Sequence, residues 1–140
     1  FLSIPRDIQH ARLNLAINLA HELGHQSLMI YQGADRILHD ELDAPIYSVI
    51  RKTMRPAINS FHAVVALTFM LRFATDLLAG GELSDDERSL LVERREEFKQ
   101  SLSDGIKTCE NLNFTEVGRK LFDECCETFL ISSELYFGQA

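Results

Sequence analysis

The sequence predicts an all-α protein, a single-domain bundle of four main helices. Three observations support this prediction. Two long segments are apolar with helical periodicity, and the second of them opens at Pro56, a residue favoured in the first turn of a helix. Ser84 followed by Glu87 forms a capping box, and Thr115 is a typical N-cap residue, so two further helices are expected to start there. No segment shows the alternating pattern of a clear strand.

The ends of the predicted helices follow from glycine and proline. Gly33 is expected to end the first helix, and Gly80-Gly81 the second. Residues 34–40 are expected to form one or two helical turns, and Pro45 makes the following stretch irregular. The expected helices span about residues 7–32, 56–78, 84–104 and 116–137, with Gly105 as a weak point beyond which the third helix is left open to resume toward residue 111.

Composition sets the broad class of the protein. A chain of 140 residues with 46% hydrophobic and 25% charged residues is an ordinary globular domain, expected to cover residues 1–140 as one unit. Its net charge of −7, without a basic cluster, argues against nucleic acid and anionic membranes as partners. Three cysteines, two of them adjacent, indicate a reducing compartment, and we expect a cytoplasmic protein without a transmembrane helix. The start at Phe1 without methionine leaves open that the chain is the C-terminal part of a longer protein.

The first predicted helix contains the motif His21-Glu22-Leu23-Gly24-His25, an HExxH sequence. Histidines four residues apart lie one turn apart on one helix face, where they can share a metal ion. The other residues within roughly 60° of His21 form a narrow stripe on a mostly apolar helix. They are His10, Asn14, Ile17, Asn18, His25, Leu28 and Gln32. A stripe of histidine and asparagine, instead of lysine and glutamate, predicts the wall of a site inside the protein.

The second helix and the segment before it supply further candidates. His62 is a histidine in the first turns of an apolar helix, and with HExxH upstream it is the leading third metal ligand. Arg51 and Arg55 precede Pro56, among apolar residues that favour packing on the core. A guanidinium held there would receive a carboxylate. Tyr47 and Asn59 are expected to be walls of the same pocket.

Several short motifs together carry a family resemblance. They are His21-Glu22-Leu23-Gly24-His25-Gln26, Ala44-Pro45-Ile46-Tyr47, Arg51, Arg55-Pro56, Phe61-His62-Ala63 and Phe114-Thr115-Glu116-Val117-Gly118-Arg119. In this combination the chain resembles the HExxH-type peptide β-hydroxylases, iron(II)/2-oxoglutarate-dependent enzymes associated with the modification of peptide natural products. The chain departs from the family pattern in having Ile50 in place of a tryptophan before Arg51, and Ala63 in place of a glycine after His62.

The resemblance implies a set of roles. His21, His25 and His62 would hold Fe(II), and Arg51 or Arg55 would anchor a carboxylate of 2-oxoglutarate. Glu22 is the predicted catalytic residue, and its role would be to orient a metal ligand or a water. The substrate would be a peptide or small molecule.

Two alternatives remain open from the sequence. The first is a zinc-dependent, zincin-like hydrolase with Glu22 as general base, for which Glu41 and Asp43 are the candidates for an acidic third ligand. A metzincin is excluded because the residues after His25 lack its continuation. The second alternative is a non-catalytic helical module whose histidines hydrogen-bond in the core.

Overall fold

A computed structural model describes residues 10–135 of the chain. Within this range the protein consists of four long helices and one short antiparallel hairpin. In chain order the elements are α1 (Ala11–Ala34), β1 (Pro45–Ser48), β2 (Thr53–Pro56), α2 (Ala57–Gly80), α3 (Asp85–Cys109) and α4 (Glu116–Glu134). The all-α bundle of four main helices is confirmed.

The predicted helix starts agree closely with the structure. Ser84 caps α3 in a complete capping box with Glu87, and the Thr115 side chain accepts a hydrogen bond from the Gly118 N–H at the start of α4. Pro56 is the N-cap residue of α2, with a φ of −56°. The predicted start of the first helix at about residue 7 lies outside the described residues. The fourth helix ends at Glu134, about three residues before its predicted end, because Leu135 has an extended backbone.

The predicted helix ends are less accurate. Gly33 does not end α1. The helix continues through Gly33 to Ala34, and the next residue, Asp35, has an extended backbone conformation. Residues 35–40 form no helical turn; they run along the start of α4, where Leu38 bridges Phe114 and Ile37 accepts from the Thr115 N–H. α3 continues without interruption through Gly105, whose missing side chain leaves room for Val64 of α2.

The hairpin contradicts the prediction that the chain has no strand. β1 and β2 pair antiparallel from Pro45 opposite Pro56 to Ser48 opposite Thr53. Lys52, with a φ of +56°, closes the turn, and its N–H donates to the Ser48 carbonyl. The Val49 N–H donates to the Thr108 hydroxyl, which fixes the hairpin on α3. The hairpin therefore lies over the end of the bundle where α2 begins.

α2 is the central helix, in contact with α1, α3 and α4. Its length and mean hydropathy of 1.6 would also suit a membrane span, but the core helix of a helical bundle has the same composition. The core consists mainly of α2 residues and the apolar side chains that pack around them. Fully buried members include Phe61, Leu28, Ile37, Leu38, Leu71, Leu91, Leu102, Val64 and Cys109.

α1 lies at the edge of the bundle, and this corrects the interpretation of its apolar faces. Leu15, Leu19, Leu23 and Ile30 are exposed. α1 approaches α2 so closely at Gly24 that a Cβ on this residue would lie 2.7 Å from the Cα of Ala66. The helix therefore buries one side against α2 and leaves a second apolar side in solvent.

Candidate functional site

The three histidines that the sequence singled out meet in the structure. Nε2 of His21 lies 3.2 Å from Nε2 of His25, as expected for side chains one helical turn apart. Nδ1 of His25 lies 3.1 Å from Nδ1 of His62 on α2. The close contact of α1 and α2 at Gly24, next to His25 in the chain, brings the two helices near enough for this second contact.

The ring nitrogens of the three histidines do not all point towards a common position for a metal ion. His25 turns Nε2 to His21 and Nδ1 to His62, and these two atoms lie on opposite sides of its ring. Within residues 10–135, no group of three histidine, cysteine or acidic side chains is arranged to hold a metal ion. His21 and His25 as they stand have the spacing of two ligands of one ion. A three-histidine site requires the rings of His25 and His62 to turn.

The histidines form a row of ring-nitrogen contacts that ends at Gln32. Nε2 of His62 lies 3.1 Å from Oε1 of Gln32, and a carbonyl oxygen only accepts, so His62 donates from Nε2. A proton from either ring can lie between Nδ1 of His62 and Nδ1 of His25, and likewise between Nε2 of His25 and Nε2 of His21. All three rings are thereby paired with each other or with Gln32.

The environment of His25 and His62 favours the neutral imidazole. Burial lowers the pKa of His25, and the neighbouring His21 lowers it further. Burial also lowers the pKa of His62, with a second contribution from His25. Neutral imidazole is the form that binds a metal ion.

Glu22 lies on the far side of His21. Its Oε1 is 3.3 Å from Nδ1 of His21, the nitrogen that faces away from His25, and Glu22 does not line the cavity described below. A carboxylate on the second nitrogen of a metal-binding histidine fixes the tautomer and the orientation of the ring. This position suits a positioning residue and does not suit a base acting on a water in the cavity.

A cavity of about 490 Å³ brings the predicted site residues together between α1, α2, α3 and the hairpin. His21, His25 and His62 line one part of it, and Arg51 and Arg55 of the hairpin line another. Its lining residues are His21, His25, Ser48, Ile50, Arg51, Arg55, Asn59, Ser60, His62, Ala63, Gly105 and Thr108.

Of the two predicted pocket walls, Asn59 lines the cavity and Tyr47 does not. Tyr47 is 56% exposed on β1, since alternate residues of a strand point to opposite faces and Ser48 takes the inward position. Glu41 and Asp43 are exposed and also lie outside the cavity lining. They give no support to a hydrolase with an acidic third ligand.

The charge of the cavity is opposite to that of the protein. Its lining contains two arginines and no aspartate or glutamate, although the whole chain carries a net charge of −7. Within residues 10–135, the side chains of Arg51 and Arg55 form no ion pair with a carboxylate. The cavity is therefore suited to an anionic ligand.

Sequence reasoning placed Gln32 on the polar stripe but did not pair it with His62, and it missed three polar residues of the cavity, Ser48, Ser60 and Thr108. Gln32 lies on the polar stripe of α1, so its pairing with His62 could have been proposed from the helix geometry. The other three carry no signal in the sequence. Ser48 and Thr108 reach the cavity only because the hairpin folds onto α3.

The residues present suit a metal ion in their chemistry. Imidazole nitrogens suit zinc, iron and other divalent ions alike. His21 and His25 would hold an ion, and Glu22, 3.3 Å from Nδ1 of His21, would accept a hydrogen bond from that nitrogen. The donor set and its carboxylate partner therefore fit, with His62 as the ligand that needs rearrangement.

The comparisons with known proteins leave the family undetermined. The chain matches no protein-family model and no curated protein sequence. The resemblance to the HExxH-type peptide β-hydroxylases stays a prediction, and the function is argued from the site.

Proposed function

We propose that this protein is a metal-dependent oxygenase that uses Fe(II) and 2-oxoglutarate to hydroxylate a peptide or small substrate. The observation that carries the proposal is the shared cavity: the three histidines and both arginines predicted from distant parts of the sequence line the same space. Fe(II) would supply the oxidising chemistry when bound, and an iron oxygenase needs ligand positions that the protein leaves open.

The residues of the chain have distinct roles in this proposal. His21, His25 and His62 bind the metal, and Glu22 holds the His21 ring by its outer nitrogen. Arg51 or Arg55 receives the far carboxylate of 2-oxoglutarate, since a guanidinium matches a carboxylate with two parallel hydrogen bonds. Ile50 and Ala63 form an apolar part of the cavity wall, and this part limits the access of water to the reacting groups.

The test combines metal binding with a spectrum. Anaerobic protein with Fe(II) and 2-oxoglutarate should give a weak visible charge-transfer band, and 2-oxoglutarate should be consumed once oxygen is admitted. His62→Ala should weaken Fe(II) binding by at least about 100-fold, because even the partners of metal ligands are worth about 10–100-fold. His39→Ala is the matched control, as His39 is exposed and outside the cavity. No band and no turnover would refute the proposal.

A zinc hydrolase is the runner-up, and Glu22→Gln separates the two enzymes. In a hydrolase this change removes the general base and abolishes the reaction while zinc stays bound. In the proposed oxygenase Glu22→Gln keeps a hydrogen-bonding group beside His21 and retains most of the turnover. The position of Glu22 outside the cavity lining supports the oxygenase.

A non-catalytic helical module is the other candidate, and the closed row from His21 to Gln32 favours it. The three rings are hydrogen-bonded without any metal. This candidate predicts that neither iron nor zinc raises the melting temperature, and that His21→Ala lowers stability equally with and without metal.

A further inference from the structure

The outer side of α1 carries a stripe of exposed apolar side chains, called here the outer stripe. Its four members lie within about 80° of one another around the helix, and each is between 39% and 72% exposed: Leu15, Leu19, Leu23 and Ile30. Within residues 10–135, nine of the twelve large apolar side chains that are exposed lie on α1 or at the end of α4. Single exposed apolar residues are normal on a monomer, but a continuous stripe along about four helical turns marks an interaction surface.

The outer stripe lies on a helix that is almost without charge. Glu22 is the only acidic or basic residue from Leu13 to Ala34, whereas 25% of the whole chain is charged. The centre of a protein–protein interface is depleted of charged residues in the same way. A helix that binds a lipid surface instead carries lysine and arginine on its polar face, and the polar side of α1 has histidine, asparagine and glutamine. The composition therefore favours a protein partner over a membrane.

The net charge of the protein indicates which partner fits. Two copies of the chain, each with a net charge of −7, repel each other, so their association is favoured through a surface that is neutral on both copies. In a two-fold dimer the same patch of surface meets itself, and a neutral apolar stripe is complementary to itself. A different protein would be selected by complementary charges, and the four side chains of the outer stripe offer none.

The area available agrees with what a stable dimer needs, which is about 800 Å² on each partner. The outer half of a 24-residue helix, about 36 Å long and 10 Å across, provides roughly 550 Å². The end of α4 extends this surface. Ile131 is 53% exposed and lies one turn after Thr128, which lines a second cavity together with Ser27 and Tyr31 of α1. A second α1 lying along the outer stripe therefore also reaches α4.

We infer that the protein is a homodimer in which the outer stripe of α1 packs against the outer stripe of α1 in a second copy. His21 and His25 lie about 120° or more around α1 from the centre of the stripe, so the cavity that they line stays on the other side of the helix. Each copy keeps a complete candidate site. The inference is therefore independent of the metal and of the proposed reaction.

Sedimentation equilibrium of the whole chain, at about 1 to 100 μM, tests the inference. The expected species at the upper concentration is a dimer with twice the mass of 15.9 kDa. Because association stabilises the folded chain, the melting temperature should also rise with protein concentration. A monomer at about 100 μM with a melting temperature independent of concentration overturns the inference.

New charges within the stripe should separate the copies. Leu19→Glu with Leu23→Glu should raise the dissociation constant of the dimer at least about 100-fold, because it brings like charges together in the interface. Both side chains are exposed in the single copy, so circular dichroism should show an unchanged helix content. Leu42→Glu is the matched control, since Leu42 is 45% exposed, close to the 43% of Leu19, but lies outside α1 and α4. This variant should remain a dimer.

A second pair of changes provides the same test should the first pair lose its fold. Leu15→Lys with Ile30→Lys adds positive charge at the two ends of the stripe and should also give a folded monomer. The inference is wrong if either pair of changes gives a folded protein that remains a dimer, or if Leu42→Glu dissociates the dimer equally. Unmodified protein that stays monomeric and binds vesicles of neutral phosphatidylcholine would assign the stripe to a lipid surface and overturn the inference as well.

Discussion

Arg95 and Ser60 are both buried polar residues in this bundle, but their surroundings differ. Arg95, on α3, is 2% exposed and donates to the Thr75 hydroxyl, to the Leu135 and Ser132 carbonyls and to Glu96. Ser60, at the other end of α2 from Thr75, has no partner for its hydroxyl among residues 10–135. The comparison shows that buried polar groups in this bundle are not all used alike. Arg95 joins helices to each other, whereas the Ser60 hydroxyl takes part in no hydrogen bond among the described residues.

Two opposing effects act on the pKa of Arg95. Burial lowers the pKa of Arg95, and the charge of Glu96 opposes that effect. Ser132 lies in the last turn of α4 and Leu135 is the C-cap residue, where a helix leaves carbonyl acceptors unpaired and a cation is favourable. Arg95 therefore ties the end of α4 to α2 and α3.

The largest expected effect is the loss of Arg95. Arg95→Ala should lower the free energy of unfolding by about 3 kcal/mol, because it leaves buried carbonyls without a donor. Chemical unfolding in urea measures the change. Arg94→Ala is the matched control, since Arg94 makes only a 4.0 Å ion pair with Glu97 at the surface and should cost less than about 0.5 kcal/mol. If both variants lost the same stability, the structural role of Arg95 would be wrong.

The next effect concerns the contact that assembles the candidate site. Gly24→Ala should cost about 2 kcal/mol, because its Cβ meets the backbone of Ala66 and α1 must move away from α2. The movement should also separate His25 from His62 and weaken metal and anion binding. Gly33→Ala, on the same helix with nothing within 4 Å of its Cβ, should instead be neutral or stabilising by up to about 1 kcal/mol. Thermal unfolding of the two variants provides the comparison, and equal destabilisation would contradict it.

A smaller, pH-dependent effect is expected at Glu87. Hydrogen bonds from Arg12 and from the Ser84 N–H lower the pKa of Glu87 to about 2 from an ordinary value of 4.5. The stabilisation is then fully present above about pH 4.5 and is lost as the pH falls towards 2. The Arg12 side chain is 74% exposed, so solvent screens much of the pairing.

Glu87→Gln should therefore flatten the fall in melting temperature between pH 4.5 and about 2. Glu93→Gln, an exposed position on the same helix, is the control and should leave the pH profile unchanged. A Glu87→Gln profile with the slope of the unmodified protein would show that the pair adds nothing to stability.

The smallest expected effect on stability comes from a variant that tests which face of the hairpin borders the cavity. Tyr47→Ala should cost about 0.5 kcal/mol through its cross-strand contact with Met54, and should leave anion and metal affinity unchanged. Asn59→Ala, at the other predicted wall, should alter anion affinity because Asn59 lines the cavity. Calorimetric titration distinguishes the two, and a loss of anion affinity in Tyr47→Ala would extend the cavity to the outer face of the hairpin.

The features that could be predicted from the sequence are those with local causes. The capping residues Ser84 and Thr115 act within one helical turn, so their positions were correct. The spacing of His21 and His25 likewise fixes their contact along one helix. The pairing of His62 with them needed a further assumption, that polar groups on two apolar helices face each other, and the structure agrees.

The features that could not be predicted depend on distant contacts. The hairpin strands have four residues each and are held by Thr108 of α3. No residue near Pro45 in the sequence indicates this contact. The exposure of Leu15, Leu19 and Leu23 on α1 could not be predicted, because apolar periodicity shows that a face is apolar and not whether another element covers it. Ser60 is indistinguishable in sequence from any serine early in a helix, and its unpaired hydroxyl emerges only in the folded chain.

The row from Gln32 through His62 and His25 to His21 has a consequence for proton counting. Both ends of the row are acceptors, the Glu22 carboxylate and Oε1 of Gln32, so its four contacts need four ring protons, whereas three neutral imidazoles carry only three. In the all-neutral row, one contact therefore has no proton, and gaining one positive charge would complete it.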